Sequence, residues 1–178
     1  MAKLFKMNYG GYYNTDAVEN VIRYITRTRA NEMKEEELIC WGSYNTLIYN
    51  EAGIPDPEVA INQFLGVQMF YDIKKRKGKR MYHETLNLLP DEYFFLLGDQ
   101  YRFPCLLYEC CKYYDNMGFQ VVYALHLSKS KGVHIHFAIN AVNYKSGLKW
   151  HTLGYDDWLR QQAFNSYIYD QNLECLNY

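Results

Sequence analysis

The clearest chemistry in this chain belongs to three histidines. His134 and His136 flank Ile135 in Gly132-Val-His-Ile-His-Phe137, an apolar run rich in β-formers. Side chains alternate across a strand, so these two histidines project to one side while Ile135 and Phe137 project to the other. A second such run, residues 120 to 127, comes just before it, and the polar Ser128-Lys-Ser-Lys-Gly132 between them reads as a hairpin loop. A symmetric hairpin centred on Ser130 sets His126 opposite His134 and Ala124 opposite His136, with opposed Cβ atoms roughly 4.5–5.5 Å apart. Three imidazoles then converge beside a small residue, which is the arrangement of a metal site. A single His-x-His is more often just the polar face of a strand. Three of the chain's five histidines meeting on one face is different, because that would be costly in a core without partners. Such a site suits Zn²⁺, Mn²⁺ or Fe²⁺, and ligand type alone does not select among them. A one-residue change of register would break the arrangement, so it depends on this pairing.

Further elements must hold such a hairpin. Asp16-Ala-Val-Glu19 has capping-box spacing, and Val18, Val21, Ile22 and Ile25 recur at helical intervals, predicting a helix over residues 16 to 28. Tyr24 lies in that helix, with Arg23 and Arg27 off its apolar stripe. A second helix is expected after Pro57, running through Phe64, Leu65, Met69 and Ile73 into the basic run Lys-Lys-Arg-Lys-Gly-Lys-Arg at 74 to 80. Residues 80 to 89 alternate as a strand in which Tyr82, Glu84 and Leu86 share a face, and Pro90-Asp91-Glu92 punctuates its end. Leu106, Leu107, Cys110 and Tyr114 predict a helix over 101 to 117 that stops at Gly118, and residues 155 to 173 predict a last amphipathic helix. Residues 35 to 40 read as the start of a helix in a loop-rich region, and Leu4, Phe5 and Met7 as a short apolar start before Gly10-Gly11. The expected fold is α+β, a central antiparallel sheet of about five strands flanked by helices with the histidine hairpin at its centre, in one domain over 1–178.

Composition sets the bounds. In 178 residues, 49% hydrophobic and 22% charged content is that of a globular protein. A formal net charge of −1 argues against indiscriminate coating of nucleic acid, which depends on phosphate neutralisation, although the basic run concentrates positive charge locally. The five cysteines lack CxxC spacing, so neither a disulfide framework nor a thiolate zinc site is indicated. No apolar run is long enough for a membrane span and no secretion signal opens the chain, which reads as cytoplasmic.

Four blocks together resemble the MOB-type relaxases of mobilisable plasmids and conjugative elements, within the HUH endonucleases. They are Arg23-Tyr-Ile-Thr-Arg27, His83-Glu-Thr-Leu-Asn-Leu-Leu-Pro90, Leu125-His-Leu-Ser128, and Gly132-Val-His-Ile-His-Phe-Ala-Ile-Asn140. The resemblance implies a relaxase-like fold that nicks single-stranded DNA at an origin-of-transfer-like site and can rejoin it. Tyr24 would be the nucleophile, giving a 5′-phosphotyrosine intermediate. His126, His134 and His136 would hold a divalent metal, Mg²⁺ or Mn²⁺ first and Zn²⁺ as an option. Glu84 would be a catalytic base or orient a ligand histidine. Arg23, Arg27, Lys129, Lys131 and Asn140 are the expected DNA contacts, single-stranded DNA the partner, and accessory mobilisation or host replication proteins further candidates. Two alternatives stay open. One is an HUH replication initiator or transposase whose tyrosine follows the histidine pair, for which Tyr167 and Tyr169 qualify, and the other is a non-catalytic single-stranded DNA-binding accessory domain. A cupin-type oxygenase would need more strands than the sequence supplies.

Overall fold

Period-two alternation in the most apolar segments builds a five-stranded antiparallel sheet, seen in a computed structural model that describes residues 3–6, 12–27, 36–73, 77–129, 132–150 and 154–176. Its strands are β1 (Lys3–Lys6), β2 (Glu36–Tyr44), β3 (Met81–Asn87), β4 (Phe119–Ser128) and β5 (Gly132–Asn143), in the order β1-β3-β5-β4-β2. β5 is central and buried over nearly its whole length. The hairpin register pairs His126 with His134, Ala124 with His136 and Ser128 with Gly132, as the loop length predicts. On its other side, β5 pairs with β3, setting Thr85 opposite His136 and His83 opposite Ala138.

Helices cover both faces. α1 (Ala17–Ile25) buries Ala17, Val18, Val21, Ile22 and Ile25, and α2 (Pro57–Phe70) buries Ala60, Ile61 and Phe64, against Met81, Val122, Ala124 and Ala138. This is the histidine face. α4 (Arg102–Asn116) and α5 (Gly154–Leu176) cover the reverse face, where Tyr114, Phe164 and Ile168 pack on Ile135, Phe137 and Ile139. The start of α2 is set by Pro57 and by Asp56, whose carboxylate accepts from the Glu58 amide at 2.9 Å. α4 ends before Gly118, whose φ of +84° is cheap only for glycine.

Two expectations are corrected. Residues 36 to 40 begin a strand rather than a helix: the free edge of β4 offers ladder bonds that a short, loop-flanked helix could not match. Pro90-Asp91-Glu92 does more than end a strand. It opens α3 (Pro90–Leu97), with Glu92 accepting from the Leu89 amide at 2.8 Å. Gly10-Gly11, Thr28 and residues 74 to 76 of the basic run lie outside the described residues. Among the described residues no helix is long and apolar enough to cross a membrane.

Candidate metal centre and nuclease site

Strand pairing brings His126, His134 and His136 into one buried cluster. Ring centroids are 4.6 Å apart for His126 and His136, 4.8 Å for His134 and His136, and 5.7 Å for His126 and His134. Glu36, the first residue of β2, joins them because it pairs with Ser128 at the end of β4. One ligand atom from each of the four lies within 4.8 Å of the others. Glu36 Oε2 is 3.7 Å from His126 Nδ1, and Oε1 is 3.8 Å from His134 Nε2.

Hydrogen bonds indicate which ring nitrogens face the cluster. His126 Nε2–H donates to the Ile25 carbonyl at 2.6 Å, so Nδ1 carries the lone pair. His134 Nδ1 lies 3.3 Å from the Gly132 carbonyl, which can only accept, leaving Nε2 as the ligand atom. His136 Nδ1 is 2.8 Å from His83 Nε2, and no hydrogen-bond partner among the described residues meets His136 Nε2. Three imidazole nitrogens and one carboxylate, all buried, form a donor set that a divalent cation satisfies. Burial lowers the His126 pKa to about 4 and that of His83 to about 3, and drives His136 well below the usual imidazole range. These rings are neutral at pH 7, as metal ligation requires.

Around this cluster stand the other residues singled out in the sequence. Tyr24 is half-buried on α1, with its ring edge-on to His136 and to His83, both centroids at 5.8 Å. Arg27 follows α1 with φ +58°, a conformation rare outside glycine. Its Nη2 donates to His126 Nδ1 at 3.0 Å and pairs with Glu36, and its guanidinium carbon is 5.1 Å from the Tyr24 ring centre. Arg23 points elsewhere, to Glu58 at 2.8 Å and Glu19 at 3.4 Å. Lys129 is exposed in the hairpin turn, and Lys131 lies outside the described residues.

A relaxase family model, the MobA/VirD2-like nuclease domain, matches residues 24–171, a span that opens on Tyr24 and contains Glu36 and all three cluster histidines. The chain belongs to the relaxase family. No curated protein and no solved structure matches it. A relaxase nuclease domain binds and nicks DNA, and relaxases depend on a metal, for which this chain offers the Glu36 and histidine cluster.

Two expected site residues of this relaxase are placed away from the cluster. Glu84 is on the reverse face of the sheet, fully buried, accepting from Tyr114 Oη at 2.8 Å and from Arg160 Nη1 at 2.8 Å. Alternation forces this, because His83 occupies the histidine face and its neighbour must take the other. Asn140 does share the histidine face but is fully buried: its Nδ2 donates to the Phe64 carbonyl at 3.1 Å and to Gln120 Oε1 at 2.9 Å, and its Oδ1 accepts from Gln68 at 3.0 Å. It braces α2 on the sheet and does not reach a DNA surface. Sequence reading missed Glu36 and His83. A strand reading of residues 36 to 44 would have brought Glu36 beside the hairpin, and pairing 81 to 87 with β5 would have picked out His83.

Proposed function

We propose that this relaxase domain nicks single-stranded DNA at an origin-of-transfer-like site by attack of Tyr24 on the scissile phosphate. The observation that carries this reading is the position of Tyr24: its ring lies against His136, on the helix whose Ile25 carbonyl holds His126. Glu36, His126, His134 and His136 would hold the ion, Mn²⁺ or Mg²⁺ with Zn²⁺ as a third choice. Bound there, a divalent ion supplies charge neutralisation at the non-bridging phosphate oxygens. Arg27 adds positive charge beside Tyr24 and is the arginine best placed to meet a phosphate, while Lys129 is placed to follow the strand beyond it.

Tyr24 Oη forms the bond to phosphorus as the bond from phosphorus to the 3′ oxygen breaks. The phenolic proton is released, and the departing oxygen takes up a proton to become a 3′-hydroxyl. A 5′-phosphotyrosine remains and retains the phosphodiester's energy, so attack by a 3′-hydroxyl rejoins the strand without a nucleotide cofactor. The alternative with a C-terminal tyrosine is disfavoured by distance across the fold: Tyr167 donates to Glu109 at 2.6 Å and packs, with α5, on the reverse face. Accessory mobilisation or host replication proteins would deliver the single strand.

The test is covalent trapping of the full chain on a mixed single-stranded DNA library with Mn²⁺ or Mg²⁺. Wild-type protein is expected to form an adduct that resists denaturation and disappears with chelator. Tyr24→Phe is expected to keep metal binding and lose the adduct. An adduct surviving in Tyr24→Phe would move the nucleophile, and no cleavage by the wild type under any of these conditions would leave a DNA-binding module.

A further inference from the structure

His83 belongs to none of the roles assigned above, yet it is buried in contact with the cluster. Its Nε2 is 2.8 Å from His136 Nδ1, its Nδ1 is 3.3 Å from Tyr12 Oη, and its ring meets that of Tyr24 edge-on. Tyr12 is itself anchored: it bridges to Met81 at the start of β3, and its carbonyl accepts from the Arg80 amide at 2.7 Å.

Two proton arrangements are open to the His83–His136 pair. If His83 Nε2–H donates, His136 must carry its own proton on Nε2, leaving a buried N–H that no described residue accepts. If His136 Nδ1–H donates, His83 carries its proton on Nδ1, where Tyr12 Oη can accept it, and what His136 Nε2 presents to the described residues is a bare lone pair instead of an N–H. A buried N–H without an acceptor is the rarer and costlier state. We propose that His83, braced by Tyr12, is a positioning residue that fixes His136 in its Nδ1–H tautomer and so presents His136 Nε2 to the metal.

A metal-bound histidine ordinarily gives its second N–H to an outer acceptor that orients the ring. Here that acceptor is an uncharged imidazole, so among the described residues Glu36 remains the one carboxylate of the centre. A divalent ion held this way keeps net positive charge for a phosphate, which a second carboxylate in the place of His83 would cancel. The contact between His83 and Tyr24 also sets the nucleophile's ring against the same pair that orients the ligand. The proposal rests on the metal reading of the cluster and is independent of which tyrosine attacks.

Two measurements test it. Long-range ¹H–¹⁵N correlation spectra of the metal-free full chain report the tautomer of each histidine, and His136 is expected with its proton on Nδ1. Titration with Mn²⁺ in the absence of DNA should then show His83→Ala binding about 10–100-fold more weakly than wild type. His83→Gln, which keeps an acceptor near the position of Nε2, should recover most of that loss. An Nε2–H tautomer at His136, wild-type Mn²⁺ affinity in His83→Ala, or a folded His83→Gln as weak as His83→Ala would each overturn the proposal. Wild-type protein with the expected tautomer but no Mn²⁺ binding would overturn the metal reading itself, and a wild type that binds Mn²⁺ with the opposite tautomer would overturn the role of His83 alone.

Discussion

His83 and Glu84 are neighbours in β3, both buried, and they serve opposite faces of one sheet. On the reverse face, Glu84 is matched by Arg160 and Tyr114, and Arg160 in turn stacks over Trp150 with 4.5 Å from its guanidinium carbon to the ring centre. In charge that group closes on itself among Tyr113, Tyr114 and Phe164, both Glu84 oxygens being met by Arg160, while Arg160 Nε has no hydrogen-bond partner among the described residues. On the histidine face, Arg27 meets both His126 Nδ1 and the Glu36 carboxylate, yet His136 Nε2 beside them has no hydrogen-bond partner among the described residues. A buried ion pair matched in charge belongs to the architecture, and a buried ring nitrogen left with a bare lone pair beside a carboxylate and two further imidazoles suits a cation.

The largest effect should come from breaking the closed face. Glu84→Gln leaves Arg160 buried without its counter-charge and should lower unfolding free energy by about 3–5 kcal/mol in urea titrations, because removing one partner of a buried pair exposes the full desolvation cost of the other. Mn²⁺ affinity of the protein still folded should not change, and a loss there would show that the two faces are coupled. The open face should behave in the reverse way. His136→Ala should lower Mn²⁺ affinity by more than about 100-fold, beyond the 10–100-fold typical of an outer partner, a loss of metal binding that Glu84→Gln should not show.

Acid should find the histidine face next. His126, facing Arg27, Glu36 and His134, and His83, facing Tyr12, Tyr24 and His136, have pKa values of about 4 and about 3 when folded against 6.5 for the free imidazole. Between those values the unfolded chain binds protons that the folded chain refuses. The stability these rings contribute is therefore complete above pH 6.5 and lost as pH falls toward 4 for His126 and toward 3 for His83. By pH 5 each should cost about 2 kcal/mol, seen as a falling melting temperature of the metal-free chain between pH 7.5 and 5; a flat profile would mean that the rings are open to water.

Surface changes should matter least. Lys129→Ala should reduce the slope of log affinity for single-stranded DNA against log salt by at most about one. Arg23→Ala should cost no more than about 1 kcal/mol of stability, since its partners Glu58 and Glu19 are exposed with it. A large loss of DNA affinity in Arg23→Ala would place the DNA path over α1 and α2 instead of the hairpin turn.

The histidine triad was legible because it depends on local information: the short turn between Ser128 and Gly132 fixes the hairpin register, and period two fixes the face. α1 with Tyr24, the start of α2 and the stop of α4 were legible for the same reason. Alternation in β3 was also readable, but which of its faces meets the histidines depends on pairing with β5, a strand some fifty residues later. That missing contact is why Glu84 drew the role and His83 did not. Glu36 was hidden by an acidic run that looks helical until the edge of β4 claims it, and the approach of Arg27 to His126 depends on a positive φ that no sequence pattern announces.

The claim that the histidine face is the chemical face is tested most directly by locating the DNA on the protein. Full-length chain trapped on single-stranded DNA with Mn²⁺, digested and analysed by mass spectrometry, should yield the nucleotide on the peptide containing Tyr24. A nucleotide on Tyr167 or Tyr169, across the sheet, would contradict it.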